Sequence, residues 1–117
     1  MRIIVTGGRD YKDDLMVYHI LSSLGPTVLG VGDCPTGVDS FVRHWVNRLD
    51  SDGRKPVFTV YKADWEKFGK AAGPIRNGDM IRDMAPWFCL AFPGGKGTED
   101  CVNQCKKAGI PVLRVEE

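Results

Sequence analysis

Apolar positions switch along the chain between a period near two and a period near 3.6, and these switches divide it into short segments. Arg2–Thr6 is a β-branched run closed by Gly7-Gly8. Val17, Ile20, Leu21 and Leu24 return at helical spacing, predicting a helix from about Asp13 to Leu24 that Gly25-Pro26 stops. Thr27–Val31 reads as a second strand. Val38, Phe41, Val42, Trp45 and Leu49 share one face of a second helix, with Thr36 placed to cap it. Pro56–Tyr61 is a third strand, and a helix from Pro74 to about Ala85 follows, proline being suited to a first helical turn. Trp87–Phe92 is unbroken and apolar, the pattern of a strand buried on both faces. Thr98 can cap a fourth helix whose inner face carries Cys101, Val102, Cys105 and Ala108; Gly109 ends it, and Ile110–Val115 supplies the last strand.

Strands alternating with helices imply parallel βαβ units with right-handed crossovers. The expected fold is α/β: a single Rossmann-like three-layer sandwich over residues 1–117, with about five mainly parallel strands and helices on both faces. Such sheets bind ligands beyond the carboxyl ends of their strands, near a switch in strand order. That rule selects Gly7–Asp10, Gly32–Gly37, Lys62–Gly73 and Pro93–Thr98, which hold most of the 14 glycines.

Composition narrows the classes. At 117 residues, 43% hydrophobic and 26% charged, the chain has the size and balance of one soluble domain. A net charge of +1, with no basic run beyond two residues, gives no electrostatic footprint for duplex nucleic acid. No apolar run approaches the roughly 20 residues of a membrane span. The start lacks a signal-peptide layout, so the expected location is the cytoplasm, with no membrane partner. The four cysteines, Cys34, Cys89, Cys101 and Cys105, match no zinc-binding spacing. They read as small buried hydrophobes in a reducing compartment, with Cys101 and Cys105 one turn apart on one helix face. No metal or cofactor is expected.

The candidate chemistry lies in the loops. Pro93-Gly94-Gly95-Lys96-Gly97-Thr98 follows a buried strand and opens a helix, so backbone N–H groups can approach an anion where the helix start is partly positive. Thr98 can either cap the helix or bond a phosphate oxygen. Thr6-Gly7-Gly8-Arg9-Asp10 ends the first strand in the same way: Arg9 can grip a phosphate or carboxylate, and Asp10 can cap the next helix or touch a ligand. Gly30-Val31-Gly32-Asp33-Cys34-Pro35 has proline where a dinucleotide fingerprint needs its third glycine. Asp39 is either a first-turn acid paired with Arg43 or a ligand contact. Arg76 and Asn77 stand near a helix N-terminus, where a cation opposes the dipole and a bound phosphate would balance it. Asp64-Trp65 offers a carboxylate and an aromatic face for ribose and base, or Trp65 is core. His19 and His44 are mid-helix and read as structural.

The ordered set TGGRDY, GxxxxGxD, DW, AAGPIRNxxM and FPGGKGT resembles the small YspA-like branch of the SLOG superfamily, over nearly the whole chain from Arg2 to Val115. That superfamily includes the LOG phosphoribohydrolases and the DNA-processing Smf/DprA proteins. The resemblance implies a Rossmann-like fold with a nucleotide-type site drawing on Gly7, Gly8, Arg9, Gly37, Asp39, Trp65, Arg76, Asn77, Pro93, Gly94, Gly95, Gly97 and Thr98. It also implies a homodimer. LOG hydrolases carry RKxxM and PGGxGTxxE; here Asn77 replaces the lysine and Cys101 stands at the glutamate. Three readings follow. The first is a nucleotide-binding or sensing domain. The second is a phosphoribohydrolase, with Arg76 holding substrate and Asp100 or Asp64 acting at the glycosidic centre. The third, by analogy with DprA, is a single-strand DNA binder, which the near-neutral charge disfavours.

Overall fold

The computed structural model describes residues 1–25, 27–49 and 56–116; Pro26, half of the expected stop of the first helix, lies outside them. Five strands alternate with helices: β1 (Arg2–Thr6), α1 (Asp14–Ser23), β2 (Val28–Gly32), α2 (Val38–Leu49), β3 (Val57–Tyr61), α3 (Trp65–Phe68), a 3-10 turn (Gly69–Ala71), α4 (Ala72–Met84), β4 (Phe88–Ala91), α5 (Lys96–Lys107) and β5 (Val112–Arg114). All four strand pairings are parallel, in the order β3-β2-β1-β4-β5.

The period of two in β1 decides the layers. Ile3 pairs between Leu29 and Phe88, and Ile4 between Gly30 and Cys89. Ile3 and Val5 turn to one face, where Leu29, Val31, Leu90 and Phe92 meet Val17 and Leu21 of α1 and Val38, Val42 and Val46 of α2. Ile4 turns to the other, where Cys89 and Ala91 meet Met80, Ile81 and Met84 of α4 and Cys101, Val102 and Cys105 of α5. The expected α/β sandwich with helices on both faces is therefore the fold. Each fully buried Val, Leu or Ile contributes about 1.5–3 kcal/mol. Gly30 admits the Met84 side chain, since a Cβ there would lie 2.9 Å from Met84 Cγ.

Element starts differ from the sequence reading for local reasons. Asp13, not Asp10, caps α1, accepting from the Met16 amide at 3.1 Å. The Thr36 hydroxyl does not cap α2 but donates to the Arg9 carbonyl at 2.9 Å. Thr98 does not cap α5; the helix starts earlier, at Lys96, with Gly95 in the cap position. α4 begins at Ala72 rather than Pro74, and α3 occupies part of the expected Lys62–Gly73 loop. Among the described residues no helix is long and apolar enough to cross a membrane.

Candidate functional site at the carboxyl edge of the sheet

β1 and β4 are neighbours, yet the chain leaves β1 for α1 on one face and β4 for α5 on the other. This is the switch point, the place where sheets of this kind bind ligands beyond their strand ends. The two glycine loops meet there backbone to backbone: the Gly8 amide donates to the Pro93 carbonyl at 2.9 Å. A Cβ on Gly8 would lie 2.9 Å from Gly94 Cα, and one on Gly94 would lie 2.2 Å from Thr98 Oγ1. The Gly32–Gly37 loop closes in behind. Gly37, at φ 72°, would place a Cβ 2.1 Å from the Gly8 carbonyl oxygen. Gly7 would drive one to 2.4 Å from Val38 Cγ2. Packing thus accounts for Gly7, Gly8, Gly37 and Gly94. Gly95 and Gly97 differ, because a Cβ on either meets nothing within 4 Å, and Gly95 has an ordinary φ of −99°.

No side chain caps the start of α5. Thr98 is only 4% exposed, its hydroxyl against Gly94, so it belongs to the loop's packing. Glu99 is held by both guanidinium nitrogens of Arg114 at 3.0 Å, which keeps its carboxyl below the usual range. Asp100 accepts from Asn77 Nδ2 at 3.0 Å and Gln104 Nε2 at 2.8 Å. Both acids near the helix start therefore have cationic or amide partners. Arg9 and Lys96 are exposed, and among the described residues neither side chain makes an ion pair or hydrogen bond.

A second, half-buried cluster sits beside this edge. Arg76, with a side chain 14% exposed, donates from Nη1 to Asp33 Oδ1 at 3.1 Å and to the Tyr61 carbonyl at 3.4 Å. Its Nε donates to Asn77 Oδ1 at 2.9 Å, and Asn77 Nδ2 also donates to the Gly97 carbonyl at 3.3 Å. Asn77 thereby links the cluster to the Pro93–Thr98 loop. Gly32 leaves room for the group, since a Cβ there would lie 2.5 Å from Arg76 Nη1 and 2.7 Å from Asp39 Oδ2. Asp39 is buried, and burial raises its pKa against the pull of the Cys34 amide at 3.1 Å and of Arg76 and Arg43. Arg43 makes no ion pair with Asp39; it donates to the Cys34 and Gly32 carbonyls at 2.8 and 3.4 Å.

The remaining candidates are spread out. Asp64 caps α3, accepting from the Lys67 amide at 3.0 Å. Trp65 is not core: it is 58% exposed and leans on Gly73, whose Cβ would lie 3.3 Å from the ring. His19 and His44 are exposed on α1 and α2. Cys101, where the resembling hydrolases carry glutamate, is fully buried. Sequence reasoning missed Asp33 and Lys96. Asp33 follows directly on the end of β2, the position the carboxyl-edge rule favours, and a half-buried arginine demands such a partner.

No family model matches the sequence. Gene 61 protein of Mycobacterium phage D29 is 37% identical to it over 120 residues, spanning 96% of this chain and 94% of that protein. The chain belongs to the family of this phage protein. The name Gene 61 protein states no activity, so membership in that family adds no reaction to the site. A groove of about 520 Å³, lined by Asp10, Tyr11, Lys12, Asp13, Met16 and Glu116, lies along the chain that leaves the first glycine loop. Its acidic lining suits hydroxyl or amino groups better than phosphate.

Proposed function

We propose that this domain binds a nucleotide or nucleotide-derived ligand, with its phosphate on the loop Gly94–Gly97 and its remainder beyond the ends of β1 and β4. The observation that carries this reading is the pair Gly95 and Gly97. Neither is required by φ or by a close neighbour, both front an uncapped helix start, and the flanking cations Arg9 and Lys96 have no partner among the described residues. Orphan N–H groups and the helix dipole favour an anion there. Gly7, Gly8, Gly37, Gly94 and Thr98 shape the loop, while Arg76, Asn77 and Asp39 support it from behind.

Binding rather than hydrolysis is favoured by the carboxylates. Asp100 is held by two amides, Asp64 is spent on a cap, and Cys101 offers a buried thiol. None of these is presented as a ready general base. The test is a thermal-shift series with nucleoside mono- and diphosphates, followed by calorimetry and by chromatography for released base. A ligand at 100 times its dissociation constant stabilises the fold by about 2.7 kcal/mol. Gly95→Val is sterically open, so it should stay folded and lose that shift; Lys96→Ala should weaken binding by about tenfold or less, as an exposed cation does. No free base should accumulate. A folded Gly95→Val protein with unchanged affinity rejects this loop as the site.

A further inference from the structure

Three of the four cysteines converge where the sequence spacing showed no motif. Cys89 points from β4 into the layer below the sheet, and Cys101 and Cys105 reach it from successive turns of α5. Their sulfurs all lie within 4.8 Å of one another, and each residue is 0% exposed. We propose that Cys89, Cys101 and Cys105 form a three-sulfur site for a thiophilic ion of the arsenite class, one satisfied by three thiolates and carrying the three positive charges that match them.

Geometry and charge both point there. Three sulfurs about 2.3 Å from a common pyramidal centre stand about 3.5 Å apart, so these need to draw together by at most about 1.3 Å. Their surroundings are apolar: Ile4, Met80, Ile81, Ala91 and Val102; Arg114, the cation that feels Cys89, is exposed and paired with Glu99. An uncompensated charge there is costly. Three thiolates leave two negative charges around a monovalent ion and one around a divalent ion, but none around a trivalent centre. Zinc in a closed site also wants a fourth ligand, and among the described residues no other thiol, imidazole or carboxylate joins the group. Thr6, which ends β1, sets its hydroxyl beside Cys101.

The exchange balances without a redox step. Arsenous acid carries three hydroxyl groups. Three As–S bonds form, three As–O bonds break, and each departing hydroxide takes one thiol proton to leave as water. Burial disfavours free thiolates here, so each thiol gives up its proton as its own As–S bond forms. Access to sulfurs this deep requires local opening of α5, so binding is slow. Once formed, the adduct locks α5 to β4 directly beneath the Pro93–Thr98 loop. The proposal does not depend on what that loop binds.

The test incubates the intact, reduced protein with arsenite and reads native mass spectra over hours. The expected product gains one arsenic and loses three hydrogens, and arsenic-edge X-ray absorption of wild-type protein shows three sulfur neighbours and no oxygen. Cys34→Ala keeps the adduct; Cys101→Ala and Cys105→Ala lose it. The proposal is overturned by no adduct in wild type, by oxygen neighbours remaining on arsenic, by an adduct of unchanged stoichiometry in Cys105→Ala, or by its loss in Cys34→Ala. The wild-type spectra decide the matter even if a core cysteine variant fails to fold.

Discussion

Tyr61 shows how much a single position in this fold is set by its neighbours. It ends β3, and its hydroxyl donates to the Asp83 carboxylate on α4 while its carbonyl accepts from Arg76. Burial and the adjacent Asp83 carboxylate push the phenol up to about 12. A phenol whose folded pKa exceeds its unfolded value of about 10 stabilises the fold below that value, and the contribution is lost as pH rises through the folded pKa. Ultraviolet titration of wild type against Tyr61→Phe should therefore show one phenol ionising near pH 12, and Asp83→Asn should bring it back toward pH 10. A Tyr61 transition that stays at the ordinary value in wild type would mean that the pair with Asp83 does not form in solution. The contrast between Gly94 and Gly95 works at the same scale. They are adjacent and chemically identical, yet one has backbone within 2.6 Å of a built Cβ and the other has open space. Only the second is free to vary without disturbing the loop.

Between elements, Asn77 is one of the polar ties of α4 to α5, beside Gln104, which donates to the Pro74 carbonyl. The Asn77 carboxamide accepts from Arg76 and donates to Asp100 and the Gly97 carbonyl, and the residue is 4% exposed. Asn77→Ala strands these partners in a half-buried setting and should cost about 1–3 kcal/mol. A urea titration should show a lower midpoint with an unchanged slope; an unchanged midpoint would place the tie outside the stability of the fold. The strands were legible in the sequence, β1 to the residue and the others to within two residues at each end, because period and β-branching are properties of the segment itself. Helix starts were less so. Whether Asp10 or Asp13, Thr36 or Gly37, Thr98 or Gly95 stands at a start depends on where backbone from another segment runs, and the Thr36 hydroxyl was drawn away by Arg9. The glycine loops were visible as loops. What was not visible is which glycines face packing and which face space, nor that Asp33, 43 residues before Arg76, supplies its counter-charge. The cysteine trio escaped for the same reason: Cys89 and Cys101 lie on different elements, and only the β4–α5 crossover brings their sulfurs together.

For the molecule as a whole, alternation predicted parallel strands but not their order, and the order governs both the switch point and the history of the fold. β1 lies in the centre of the sheet, flanked by β2 and by β4, whose first residue is Phe88. A chain ending at Ala85 would contain β1, β2 and β3 but present the other edge of β1, with Ile3, Ile4 and Val5, unpaired. Exposed apolar edges of that kind recruit other chains. Such a truncated chain should sediment as aggregate where the full chain stays in solution, and a monomeric, soluble fragment would contradict this account. The same order has a consequence for biosynthesis. β1 is made before both of its neighbours, β2 and β4, so at synthesis rates of about 5–20 residues per second it waits several seconds for the later of them, β4. During that interval the open edge of β1 is the surface on which translation speed and chaperones act.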